Sequence, residues 1–121
     1  MKKNILVIED NPDNMELVDE ILDDAGMIVT QAKRAEDGIE RLSQGGIDLI
    51  LMDISLPDMD GLEATRVIRA DEKLKSIPIV GLSAHAMKHD KDAALSAGCN
   101  DYQTKPIDEE ALLQTIHRLL A

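Results

Sequence analysis

Glu9, Asp10 and Asp53 are the side chains best placed to do chemistry, because each stands where an apolar run stops. Ile5-Leu6-Val7-Ile8 breaks into Glu9-Asp10, and Leu49-Ile50-Leu51-Met52 breaks into Asp53. Carboxylates brought close together repel, so their proximity must either raise a pKa or be neutralised by a cation. An oxygen-rich divalent site is the natural resolution, and magnesium suits a few carboxylates completed by waters and phosphate oxygens. A carboxylate held there can attack phosphorus and form an aspartyl phosphate. Two more polar residues follow later strand candidates. Ser83 can donate its hydroxyl to an equatorial phosphoryl oxygen, and Lys105, followed by Pro106, offers a compact ammonium to the phosphoryl charge. Phosphoryl transfer is mostly positioning and charge stabilisation, so no separate general base is required.

Such a constellation needs a frame that delivers strand ends to one place. Short continuous apolar runs bounded by polar turn residues read as strands buried on both faces of a parallel sheet. Strand candidates at residues 4–8, 28–32, 48–52, 77–82 and 101–104 alternate with helical-period segments, the pattern of repeated βα units. The first helix presents Met15, Val18, Ile21, Leu22 and Ala25 on one face, and the last presents Leu112, Leu113, Ile116, Leu119 and Leu120. Pro12 marks a helix start, Asp60 and Glu63 form a capping box, and Gly26, Gly45 and Gly98 mark helix ends. The second and fifth strands (Val29-Thr30-Gln31 and Tyr102-Gln103-Thr104) are the more polar and belong at the edges. The fold class is therefore α/β, a doubly wound (βα)5 with a five-stranded parallel sheet in the order 2-1-3-4-5. The order reverses between the first and third strands, where ligands of such sheets bind. Glu9, Asp10 and Asp53 converge there.

Composition narrows the function classes. A chain of 121 residues fits one domain, residues 1–121, with enough buried surface for a core. A net charge of −11 with no Lys/Arg stripe argues against direct nucleic-acid binding. The N-terminal apolar run is too short for a signal-peptide core or a membrane span, which predicts a cytoplasmic protein without membrane insertion. Cys99 is the only cysteine, so no internal disulfide can form, and it reads as a small buried residue.

With these residues in place, the chain resembles the receiver domain of two-component response regulators, of the CheY and DivK-like single-domain type, over nearly its whole length. The matching stretches are Ile5 through Asn11, Leu51 through Gly61, Ser83-Ala84 and Lys105-Pro106. The resemblance implies that Asp53 is the phosphoacceptor, taking its phosphoryl group from a phosphohistidine on a sensor histidine kinase or a phosphotransfer protein. It implies Mg2+ held by Asp10, Asp53 and the Ser55 backbone carbonyl, with Glu9 in the acidic pocket around the metal. It further implies that Ser83, Ala84 and Lys105 contact the phosphoryl group, that Tyr102 rotates as Ser83 moves, and that the Lys105–Pro106 bond is cis. Output would pass to a protein partner through the face built by the fourth helix, fifth strand and fifth helix, with self-catalysed phosphotransfer and autodephosphorylation as the only chemistry. Glu9 stands where the family often has Asp, and Ile107 where it often has Phe. Ser55 occupies a variable position beside the phosphoryl group and leaves the lifetime of the phosphorylated state open.

Other readings meet specific obstacles. A haloacid-dehalogenase-like phosphohydrolase needs a second Asp two residues after the nucleophile, where this chain has Ser55. A flavodoxin-like cofactor binder would place Asp10-Asn11-Pro12-Asp13 against flavin phosphate. His85 and His89 lie four apart but lack the glutamate of a metalloprotease helix, and read as a solvated helix start, while His117 reads as a helix-surface residue. The remaining alternative is a phosphorylation-independent adaptor with the receiver fold. The chain ends at Ala121, just after the last amphipathic helix, so the expectation is a stand-alone regulator without an output domain.

Overall fold

The computed structural model describes residues 2–54, 61–84 and 88–121. Ser55, Met59, Asp60, His85 and Met87 lie outside these residues, as does the side chain of His89. The capping box drawn from Asp60 and the His85–His89 pair therefore fall outside the description.

Five strands and five helices alternate: β1 (Asn4–Ile8), α1 (Pro12–Asp24), β2 (Ile28–Ala32), α2 (Ala35–Leu42), β3 (Leu49–Asp53), α3 (Gly61–Ala70), β4 (Ile79–Ser83), α4 (Lys88–Ala97), β5 (Asp101–Thr104) and α5 (Glu109–Leu120). All strand pairs are parallel and the order is β2-β1-β3-β4-β5, as the strand polarity predicts. β1, β3 and β4 are covered on both faces. Ile5, Val7, Leu49, Leu51, Val80 and Leu82 pack under Met15, Val18, Ile21 and Leu22 of α1 and Leu112 and Ile116 of α5. Leu6, Ile8, Ile50, Met52 and Ile79 pack under α2, α3 and α4 through Ala35, Leu42, Ala64, Ile68 and Ala94. Each fully buried aliphatic side chain contributes roughly 1.5–3 kcal/mol.

Local signals set the helix ends. The Asn11 side chain accepts from the backbone N–H groups of Asp13 and Asn14 at 2.9 and 3.1 Å, and Pro12 occupies the first turn of α1 where its missing N–H costs nothing. Gly26, at φ +81°, turns the chain out of that helix into β2. Ala25 caps α1 and is exposed rather than on its buried face, because the helix has already ended there.

Two strands differ at both ends from the sequence reading: the third is Leu49–Asp53 instead of 48–52, and the fourth Ile79–Ser83 instead of 77–82. The apolar run suggests that the third strand ends at Met52, yet the ladder includes Asp53, since it depends on the backbone and not on the side chain. The fourth strand begins at Ile79 rather than Ile77, because Pro78 has no N–H to give the ladder and the Ile77 carbonyl is taken by Arg69. It runs on through Ser83, which pairs with Thr104. No helix among the described residues is long and apolar enough to cross a membrane.

Candidate functional site

The sheet register brings the polar strand ends together. Ile8 pairs with Met52, so Glu9 and Asp53 come next on adjacent strands. The Glu9 N–H donates to the Ala32 carbonyl at 3.0 Å, Ile54 N–H to Leu82 at 2.9 Å and Lys105 N–H to Ser83 at 2.7 Å. Each residue beside the site is thus tied to the neighbouring strand by a last backbone bond. Glu9, Asp53 and Ser83 are buried at 1%, 3% and 2% exposure, while Asp10 is exposed.

The burial is electrically unbalanced. One carboxylate oxygen from each of Glu9, Asp10 and Asp53 lies within 4.8 Å of the others. A single ammonium faces them: Lys105 Nζ is 2.7 Å from Glu9 Oε1 and 3.4 Å from Asp53 Oδ2. Burial, and next the neighbouring Asp53, push the Glu9 carboxyl up to about 7; Lys105 and the Asn11 N–H oppose this without cancelling it. Burial on its own would lower the Lys105 pKa, but Glu9 and Asp53 together hold it above its ordinary value. An anionic excess of hard oxygen donors fits a divalent cation such as Mg2+, and among the described residues this is the one such set. Glu9 and Asp10 also line a groove of about 350 Å³ between α1 and β2.

The other predicted residues surround this cluster. Ser83 is the buried last residue of β4 and Ala84 is exposed just beyond it. Tyr102 on β5 is 8% exposed and packs in the cluster that includes Met52, Ala94 and Cys99. The Lys105–Pro106 bond is cis. Cys99 is buried, and burial pushes its thiol up. His117 lines a separate shallow hollow with Lys2, Lys3 and Met27, away from the carboxylates.

Of two further residues that matter at the site, Thr65 carries no signal in the sequence, and Gly61, which closes the stretch that resembles the receiver family, shows its contact only in the fold. Gly61 starts α3 directly against the backbone of Asp53 and Ile54, and Thr65, fully buried one turn later, donates to the Gly61 carbonyl at 2.7 Å. A glycine eight residues after an acid shows this contact only once the chain has folded back.

Comparison with known proteins agrees with the geometry. Residues 5–117 match the response regulator receiver domain family. The sensor protein GacS of Pseudomonas syringae pv. syringae is 41% identical over 115 residues; these are 93% of this chain but only 13% of GacS. The polar-differentiation response regulator DivK of Brucella ovis is 34% identical over 120 residues, 99% of this chain and 98% of DivK. The receiver domain of sensor histidine kinase PA1611 from Pseudomonas aeruginosa, solved with a magnesium ion coordinated in its active-site cleft, superposes with a TM-score of 0.92 at 36% identity, covering 99% of this chain and 98% of that one. The receiver domain of yeast Ssk1, solved with the histidine phosphotransfer protein Ypd1, gives a TM-score of 0.91 at 34% identity, covering 98% of this chain and 88% of that one. By fold, site and sequence, the chain belongs to the response regulator receiver domain family of two-component phosphorelay signalling.

Proposed function

We propose that Asp53 accepts a phosphoryl group from a phosphohistidine and that this chain, acting as one receiver unit over residues 1–121, passes the signal to a protein partner. One observation carries the reading: Glu9, Asp10 and Asp53 crowd together at the carboxyl ends of β1 and β3 with a single lysine beside them, an excess of negative charge that a bound cation resolves without a proton on Glu9. A carboxylate oxygen of Asp53 attacks phosphorus, the O–P bond forms, the P–N bond to the donor imidazole breaks, and its electron pair leaves with the imidazole. Asp10 and Asp53 would hold Mg2+, with Glu9 beside it and the Ser55 carbonyl as a further ligand. The ion would neutralise the carboxylates and the charge on the phosphoryl oxygens.

The chain's own residues do the rest. Lys105, already within 3.4 Å of Asp53, moves its charge onto a phosphoryl oxygen. Ser83 donates its hydroxyl to another, and the Ala84 backbone lies alongside. Ser83 moves toward the phosphoryl group and lets Tyr102 change its packing, so that the surface of α4, β5 and α5 reports the modification. The donor would be a sensor kinase or a phosphotransfer protein and the reader a protein effector. Turnover is confined to self-catalysed phosphotransfer and autodephosphorylation.

Intact mass after incubation with a small acyl phosphate tests this. Wild type should gain one phosphoryl group only with Mg2+, and Asp53→Asn, which keeps the side-chain volume and relieves repulsion, should gain none while staying folded. A mutant that takes up phosphate stoichiometrically would move the acceptor elsewhere. An unmodified wild type, also unmodified by a phosphorylated histidine donor, would favour the phosphorylation-independent adaptor.

A further inference from the structure

The start of α3 is pressed against the peptide that carries Asp53. The Gly61 N–H donates to the Ile54 carbonyl at 2.8 Å. A Cβ built on Gly61 would stand 2.6 Å from both the Asp53 carbonyl oxygen and Ile54 Cα, and 3.2 Å from the Asp53 carbonyl carbon. All three atoms are backbone, so no rotamer change can make room. Either the end of β3 or the first turn of α3 must shift by the better part of an ångström. Gly61 has no positive φ, so the requirement is one of space and not of conformation. From the other side, the buried Thr65 hydroxyl, which also touches Cys99 Sγ at 3.8 Å, donates to the Gly61 carbonyl and fixes the turn.

We infer that Gly61 is a positioning residue for Asp53, with Thr65 as its brace: helix α3 serves as a backstop that sets where the Asp53 carboxylate stands relative to Glu9, Asp10 and Lys105. The inference rests on the reading of Asp53 as phosphoacceptor. A bulge at the end of β3 would move that carboxylate out of line with the incoming phosphorus, and a misplacement near 1 Å costs up to ~100-fold in rate.

Gly38 supplies the matched control. A Cβ there would meet Ile8 Cδ1 at 2.3 Å and Cγ1 at 2.8 Å, an equally tight contact, but with a flexible side chain. Gly61→Ala and Gly38→Ala would be compared with wild type by chemical denaturation, by the rate of phosphoryl uptake from an acyl phosphate, and by calorimetric titration with Mg2+ alone. Gly61→Ala should take up phosphate ~10- to 100-fold more slowly and bind Mg2+ more weakly, whereas Gly38→Ala should lose stability with both readouts near wild type. Thr65→Val should slow uptake in the same direction, and Thr65→Ser, which keeps the hydroxyl, should restore it. Wild-type rate and Mg2+ affinity in Gly61→Ala would overturn the inference, as would an equal loss in Gly38→Ala, which would reduce the effect to stability. Should wild type itself take up no phosphate from the acyl phosphate or from a phosphorylated histidine donor, the acceptor reading fails, and the Mg2+ titrations still decide whether Gly61 sets the carboxylate geometry.

Discussion

Lys105 and Arg69 are both partly buried cations that join several elements, but their surroundings differ in kind. Arg69 donates to the carbonyls of Gly98, Lys75 and Ile77 and to Asn100 Oδ1, all between 2.7 and 2.9 Å. Asn100 Oδ1 also receives the Ile79 N–H, so the end of α3, the turn before β4 and the turn before β5 are stitched together. Every acceptor there is neutral, and the one charge is spread over three nitrogens that each have a partner. Lys105 instead is paired with Glu9 and Asp53, which cluster with Asp10 within 4.8 Å, more carboxylates than one ammonium balances. A polar cluster whose partners are complete holds a fold together, and one left short of positive charge is open to a ligand.

The two hubs should therefore fail in opposite ways. Lys105→Met should cut phosphoryl uptake by ~100-fold, the usual size for loss of one transition-state donor, with a smaller effect on stability because Glu9 can take up a proton in response. Arg69→Leu strips the donor from four oxygens at once and should cost about 3 kcal/mol in denaturant unfolding, leaving uptake per folded molecule unchanged. If Arg69→Leu slowed uptake as much as Lys105→Met, the division into staple and site would collapse.

What the sequence discloses follows the same division. The runs at residues 5–8 and 49–52 reveal both the buried parallel strands and the acids that end them, because burial on both faces leaves a continuous apolar signature. Strand order follows from the polarity of Val29-Thr30-Gln31 and Tyr102-Gln103-Thr104. Where polar residues are the last rungs of a ladder, as Asp53 and Ser83 are, side-chain patterning stops a residue early while the backbone continues. The Arg69–Asn100 staple leaves no trace, because it joins residues 31 apart without a period or a run, and Gly61, though it closes a stretch quoted for the family resemblance, shows its contact with Asp53 and Ile54 only in the folded chain. The displaced pKa of Glu9 is likewise a tertiary fact, set by burial beside Asp53 and not by its neighbours in sequence.

That displaced pKa predicts how the charge imbalance weighs on the fold. Between pH 4.5 and about 7 the folded protein keeps a proton on Glu9 that the unfolded chain has released. The native state binds more protons, so stability falls as pH rises through that window, by about 3 kcal/mol in all, and Glu9 adds no further slope outside it. Urea midpoints measured across the window in a chelator should show the decline. Saturating Mg2+ should flatten it by stabilising the charged carboxylate, and Glu9→Gln should remove it. A midpoint that rises with pH in the wild type, or a slope that survives in Glu9→Gln, would assign the imbalance to another group.

Helix α1 repeats the imbalance in water, and there it should matter far less. It carries Asp13, Glu16, Asp19, Glu20, Asp23 and Asp24 with no Lys or Arg, whereas every other helix has at least one base: Arg41 on α2, Arg66 and Arg69 on α3, Lys88 and Lys91 on α4, Arg118 on α5. Asp19 accepts from Gln31 Nε2 at 2.6 Å, and Glu16 and Glu20 are exposed. Glu20→Lys would place an ammonium four residues after Glu16, three before Asp23 and four before Asp24, turning repulsive spacings into attractive ones. The gain should be roughly 0.5–1 kcal/mol at low salt. It should vanish near ~1 M salt, where screening acts within about 3 Å. A gain that persists in high salt would mean that the α1 acids are shielded from water as Glu9 is, and the contrast between a buried and a solvated excess of charge would have to be redrawn.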